Sequence, residues 1–230
     1  MQPDALMLFA AGFGTRMGPL TADRPKPLIE VAGRPLIDHA LGLAEDAGVA
    51  RIVVNVHYLA EQVAAHLEGR PTIALSHEAN RILDTGGGLR HALPQLGTDT
   101  VFTLNSDAVW TGPNPLTRLA AAWDPARMDG LMLLVPEERA RGHNGTGDFA
   151  MDGAGRLTRG GPAVYTGAQV LKTAHLDTIE EPVFSLNRVW DGMLAERRLF
   201  GVLHMGGWCD VGHPDGISEA EAMLAEAGDD

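Results

Sequence analysis

Apolar residues along this chain fall into two repeating patterns. Leu6-Met7-Leu8-Phe9 is an unbroken apolar run, as expected of a strand covered on both faces. Arg51–Val56, Thr72–Leu75, Val101–Leu104, Leu131–Val135 and Leu199–Leu203 read as further strands, and Ala163–Leu171 as a longer one. Between them, Pro35–Gly48 carries apolar residues near helical spacing, opens on Pro and closes on Gly. Leu59–Leu67, Leu89–Leu93, Leu116–Trp123, Leu186–Glu196 and Ile217–Ala227 complete the helical set. This alternation predicts an α/β fold with a parallel, doubly wound sheet. Beyond Gly112 the spacing loosens. There the polar, glycine-containing stretch Glu137–Gly147 reads as a loop able to close over a ligand.

Composition narrows the partners. A chain of 230 residues supports one sizeable core, and no linker, repeat or low-complexity tract divides it. The net charge of −12 argues against nucleic acid or an anionic membrane as partner. No apolar run has the length of a membrane span, and Met1-Gln2-Pro3-Asp4 has no signal-peptide pattern. The single cysteine excludes an internal disulfide and suits a reducing cytoplasm.

In so acidic a chain, a site for anions must concentrate its cations. Gly12 and Gly14 follow the first strand and let backbone N–H groups approach an oxyanion. Arg16 adds a planar donor fork, and Lys26, between Pro25 and Pro27, is expected on an extended, non-helical backbone. Gly18 followed by Pro19 fails as a phosphate-binding P-loop, and Met17 breaks the dinucleotide pattern G-x-G-x-x-G. Asp107 lies just past the Val101–Leu104 strand, where open α/β sheets bind ligands. Gly86-Gly87-Gly88 reads either as a flexible turn or as a free helix N-terminus for a polar or anionic group. Cys209 reads as a small core residue. The nine histidines make no zinc motif, and no GxSxG or Cys/His pairing suggests a covalent nucleophile.

The full string Phe9-Ala10-Ala11-Gly12-Phe13-Gly14-Thr15-Arg16-Met17-Gly18-Pro19-Leu20-Thr21, with Arg24-Pro25-Lys26-Pro27-Leu28, resembles the signature of the sugar-1-phosphate nucleotidyltransferases. The resemblance implies a single-domain, Rossmann-like (GT-A-like) fold with a mostly parallel central sheet. Its nucleotide-binding half spans about 1–112 and its sugar-binding half about 113–230. It implies that Ala11, Gly12, Gly14 and Thr15 bind the nucleotide, that Arg16 holds the β/γ-phosphates and that Lys26 bridges the reacting phosphates. Asn105-Ser106-Asp107 and Trp208-Cys209-Asp210-Val211-Gly212 resemble the two metal motifs, which makes Asp107 and Asp210 ligands of Mg²⁺. Ser106, in place of a Gly or Ala, is expected to narrow the space around that metal. His213 replaces the usual Thr, and its role is open. Thr85, Gly86 and Gly87 fall on the base and ribose segment, with Glu78 the nearest candidate for the base edge. Asn105, Gly147, Asp148, Tyr165, Thr166 and Gly167 fall on the sugar side.

The implied substrates are a nucleoside triphosphate, UTP favoured, and a sugar 1-phosphate. Within the superfamily the chain resembles the N-acetylmuramate-1-phosphate uridylyltransferases of peptidoglycan recycling, through Thr85–Leu89, Ala92–Gly97 and Gly147-Asp148-Phe149. Mannose-1-phosphate guanylyltransferases are the nearest alternative, and a non-catalytic sugar-nucleotide sensor a remote one. A substrate carboxylate would call for a cation, for which Arg141, Arg159 and Arg188 are candidates. The sequence carries no signal of oligomeric state.

Overall fold

The computed structural model describes residues 3–228. From its N-terminal side the chain runs β1 (Ala5–Phe9), a 3-10 segment (Thr15–Thr21), a 3-10 turn (Lys26–Leu28), β2 (Glu30–Val31), β3 (Arg34–Pro35), α1 (Leu36–Asp46), β4 (Arg51–Val56), α2 (Ala60–Leu67), β5 (Ile73–His77), α3 (Asp84–Leu96), β6 (Thr100–Asn105) and β7 (Ala108–Trp110). There follow α4 (Pro115–Ala122), β8 (Gly130–Pro136), β9 (Ala140–Arg141), β10 (Phe149–Met151), β11 (Leu157–Arg159), β12 (Ala163–Lys172), α5 (Leu186–Ala195), β13 (Leu199–Leu203), β14 (Trp208–Asp210) and α6 (Asp215–Gly228).

The unbroken apolar run of β1 has a direct cause. Leu6 and Leu8 pack with Ile37, Ala40 and Leu41 of α1 on one face, while Ala5 and Met7 pack with Leu89, Ala92 and Leu96 of α3 on the other. Each of the buried Leu, Ile and Met side chains among them stabilises the fold by about 1.5–3 kcal/mol. β1 is hydrogen-bonded in parallel to β4 and β6, and β4 to β5, so these four strands end on one edge. β12 runs antiparallel to β6 and β8, and β13 lies parallel to β8, giving a nine-stranded central sheet. A smaller sheet, β7-β14-β9, sits beyond the end of β6. Its apolar face, with Met17, Val109, Cys209 and Val211, is covered by Ala220 and Met223 of α6. No helix among the described residues is long and apolar enough to cross a membrane.

The helix read as Pro35–Gly48 is α1. It ends as its Gly predicts: Gly48 adopts φ 69°, its N–H donates to Glu45 O, and Val49 N–H donates to Ala44 O. Three expectations need correction. Lys26 is not extended but opens a 3-10 turn, in which Leu28 N–H donates to Pro25 O (2.9 Å). Pro27 falls in the first turn, where its missing N–H costs nothing. The stretch Glu137–Gly147 is only partly a loop, because β9 pairs in parallel with β14. The helix expected over Leu89–Leu93 begins earlier, at Asp84, so the three glycines lie inside it.

Candidate active site

The signature loop leaves β1 and turns at Gly14, which has φ 64°. A Cβ there would sit 2.8 Å from Lys26 Cβ, so only glycine lets the Lys26 turn pack this closely. Lys26 is buried, and its Nζ donates to Asp107 Oδ2 at 2.6 Å. Asp107 lies between β6 and β7, and β7 pairs antiparallel with β14, where Asp210 is opposite Ala108. Val211 N–H donates to Asp107 O (2.8 Å), which fixes the two acidic residues side by side. A Cβ built on Gly212 would lie 2.8 Å from Asp210 Oδ2 and 3.0 Å from both terminal nitrogens of Arg16. Arg16, Lys26, Asp107 and Asp210 thus meet at the edge where the parallel strands end.

Burial, then the neighbouring Asp107 charge, pushes the Asp210 carboxyl above the usual carboxylate range, against the pull of Lys26 and Arg16. Among the described residues its carboxylate oxygens accept no hydrogen bond. Two adjacent carboxylates, one desolvated and unpartnered, form a hard oxygen donor set that fits a divalent cation of the Mg²⁺ type. Ser106 does not narrow this space. Its hydroxyl turns away and donates to Phe9 O at 2.7 Å, tying β6 to β1.

Beside this cluster lies a cavity of about 270 Å³ bounded by Ala11, Gly12, Asn55, Thr85, Asn105 and Asp107. Its rear wall is a hydrogen-bonded relay. Glu78 Oε1 accepts from Asn55 Nδ2 (2.7 Å), Glu78 Oε2 accepts from Leu83 N–H (2.7 Å), and Asn55 Oδ1 accepts from Ala10 N–H (2.7 Å). Glu78 is only 3% exposed. It therefore holds the wall rather than presenting an oxygen to a base edge, because both oxygens are already used. Asn55 is a site residue that the sequence reading missed, although a lone amide in the apolar run RIVVNV was its signal. Asp84, which also lines the cavity, was missed too.

Gly86 and Gly87 are buried and do not face the cavity. Their N–H groups both donate to Phe184 O (2.9 and 3.0 Å), and Thr85 N–H donates to Asp84 Oδ1, so the glycines offer no free N–H to an anion. The glycines serve close packing instead. A Cβ on Gly87 would lie 2.5 Å from Pro182 O, and one on Gly88 2.7 Å from Glu78 Oε1.

Among the residues expected on the sugar side, β12 carries a bulge between Tyr165 and Gln169, and Gly167 at φ 84° packs against the side chain of Asn105. Asp148 is exposed, and its Oδ2 accepts from Tyr165 N–H at 2.8 Å. Gly147 packs against the backbone of Gly161–Ala163. Burial raises the Tyr165 phenol pKa, and its ring packs edge-on against Trp190. Thr166 is not available to a ligand, since its buried hydroxyl donates to Leu133 O (2.7 Å). The three candidate arginines are each engaged, Arg141 with Glu226, Arg159 with Asp191 and Arg188 with Glu181. Cys209 is core, and burial pushes its thiol up to about 12.

The model of the MobA-like NTP transferase domain matches residues 6–203. The chain belongs to this family. It is 43% identical to the N-acetylmuramate alpha-1-phosphate uridylyltransferase of Caulobacter vibrioides over 98% of both chains. The protein of that name from Neisseria meningitidis is 34% identical, over 94% of this chain and 96% of the relative. A mannose-1-phosphate guanylyltransferase catalytic subunit beta from Drosophila pseudoobscura is 27% identical over 90% of this chain, which spans 59% of that relative. In fold, the chain is similar to HddC from Yersinia pseudotuberculosis complexed with GMP-PN, with a TM-score of 0.76 at 19% identity, covering 97% of this chain and 100% of that one.

This NTP transferase has one other group of ligand-type side chains among its described residues, Asp129, His175 and Glu196. Asp129 is already bound by Lys172 (2.8 Å) and by Arg198 (2.6 Å). Burial raises its carboxyl pKa, but hydrogen bonds from Arg198, Lys172 and His175 outweigh it and hold the group well below the usual range. Protein cations occupy the place that a metal would take.

Proposed function

We propose that this sugar-1-phosphate nucleotidyltransferase transfers a uridylyl group from UTP to N-acetylmuramate 1-phosphate in the cytoplasm, releasing pyrophosphate. The observation that carries the reaction is the meeting of Arg16, Lys26, Asp107 and Asp210 beside the Gly12 cavity. The two uridylyltransferases that match over nearly the whole chain support the choice of substrates. We assign nucleotide binding to the half spanning about 1–112 and sugar binding to about 113–230. Ala11, Gly12, Gly14, Thr15 and Thr85 take the nucleotide. Asn105, Gly147, Asp148, Tyr165 and Gly167 take the sugar, Gly147 and Gly167 by shaping the backbone around it.

The chemistry suits the residues. A phosphate monoester has a second pKa of about 6, so the attacking oxygen of the sugar phosphate is already ionised at neutral pH and needs no general base. The barrier is anion repulsion. Asp107 and Asp210 would hold Mg²⁺, which when bound would supply charge neutralisation for the phosphates. Arg16 presents its donor fork to the β/γ-phosphates. Lys26, with one N–H on Asp107, keeps two donors for the oxygen on which charge builds as pyrophosphate leaves.

A pyrophosphate-release screen tests the reading by crossing UTP, GTP, dTTP, CTP and ATP with several sugar 1-phosphates, in Mg²⁺ and in chelator. Turnover confined to UTP with N-acetylmuramate 1-phosphate is expected. Preference for GTP with mannose 1-phosphate refutes the substrate assignment, and absence of pyrophosphate from every pair refutes the reaction.

A further inference from the structure

His213 stands where the Asp210 segment meets the glycine-rich stretch that leads to the sugar side. We propose that His213 is a positioning residue for the sugar 1-phosphate, holding residues 142–147 across the phosphate end of the cleft. The proposal rests on the nucleotidyltransferase reading above.

Strand β9 delivers the chain along β14, so Gly142 backs onto Asp210. With φ 69°, and with a Cβ there certain to overlap the Asp210 carbonyl oxygen, only glycine fits. Gly142 N–H donates to Glu219 Oε2 at 2.7 Å. From the other side, His213 Nε2 lies 3.1 Å from Gly142 O and 2.9 Å from Asn144 Nδ2. A carbonyl only accepts and an amide nitrogen only donates, so one ring nitrogen serves them in turn. The Nε2–H tautomer bonds Gly142, and the Nδ1–H tautomer bonds Asn144. Both tautomers tie residue 213 to the same stretch.

The far end of that stretch is fixed as well. Asp148 N–H donates to Ala163 O (2.8 Å), and its carboxylate accepts from Tyr165 N–H. The segment therefore spans from Asp210 to the sugar side as a strap with anchored ends. None of residues 142–148 bounds the cavity at Gly12, so the strap stands apart from the wall assigned to the nucleotide. Loosening it should act on the sugar 1-phosphate before the nucleotide. His213 is only half-buried, so removing its ring opens no core cavity.

The test compares wild type, His213→Ala and His213→Gln by pyrophosphate release, varying each substrate of the pair that the wild type turns over. Hydrogen exchange of the amides in 142–147 is followed alongside. His213→Ala should raise KM for the sugar 1-phosphate about tenfold, the scale of one lost hydrogen bond, with kcat and the nucleotide KM within about twofold. Exchange in the segment should quicken. Gln, whose amide carries both a donor and an acceptor, should bring the sugar KM back to within about threefold of wild type. An unchanged sugar KM, a parallel rise in both KM values, or no recovery with Gln overturns the proposal while the parent reading stands. A wild type inactive with every pair overturns both.

Discussion

Lys26→Met isolates the catalytic charge while keeping most of the aliphatic stem. Lys26 is 9% exposed and donates at 2.6 Å to Asp107, which itself faces Asp210. In wild type the two carboxylates are set against two cations, Lys26 and Arg16. The variant leaves Arg16 alone, so the pair gains net negative charge just where phosphates must enter. Losing a preorganised donor aimed at developing charge costs about 3–4 kcal/mol of transition-state stabilisation, or roughly 10²–10³-fold in kcat at ~1.4 kcal/mol per decade. The same change strips Asp107 of its ion partner, which should lower unfolding stability by about 1–3 kcal/mol in chelator, with part of the loss recovered in Mg²⁺. Pyrophosphate release at saturating substrates measures the first quantity, and urea unfolding with and without Mg²⁺ the second. Turnover within threefold of wild type would refute the catalytic role. Unchanged stability in chelator would show that the Lys26–Asp107 contact contributes nothing to the fold.

Two further outcomes follow from groups away from the reacting phosphates. Asp129→Asn should cost about 3 kcal/mol at neutral pH, because it leaves Arg198, Lys172 and His175 around a neutral amide in a buried setting. The Asp129 carboxyl is held below its unfolded value, so its contribution is full above the ordinary carboxylate pKa and fades as the solution is acidified. Urea midpoints should show the deficit narrowing below about pH 4, and a pH-independent deficit argues against the ionic origin. Gly88→Ala adds a methyl 2.7 Å from Glu78 Oε1, and the relay from Glu78 through Asn55 to Ala10 must shift. A net loss of about 1–2 kcal/mol, after the gain in helix propensity, and a raised nucleotide KM are expected. A variant more stable than wild type would show that the relay yields freely.

What could be read in the sequence divides along a physical line. The parallel strands and their helices were legible because each carries its own period, and β1 declared its double burial in four consecutive apolar residues. Lys26 and the two aspartates were legible as a resemblance, and their convergence depends on the β7–β14 pairing. That pairing joins segments about a hundred residues apart and has no local signature. The short strands β9, β10 and β11 escaped for the same reason: two or three residues cannot display an alternation. Glu78, Gly86, Gly87 and Thr166 were placed in the site by motif position, and packing turned them inward. Each meets a partner from a distant segment, so nothing in its own neighbourhood announces it.

The carbonyl of Phe184 accepts from both Gly86 and Gly87, and Leu186 N–H donates to Thr85 Oγ1 at 3.0 Å. The wall of the Gly12 cavity is thereby riveted to the helix carrying Trp190, against which Tyr165 of β12 rests. These bonds are backbone to backbone or backbone to hydroxyl, with glycines leaving no side chain to pry them apart. On this flank α3 and α5 are held together as one piece. On the proposed reading, any breathing that admits a sugar phosphate or releases a product falls instead to the segment 142–147, which His213 ties down. The enzyme is built like a book bound along one spine, and substitutions at the spine should change its stability before they change its turnover.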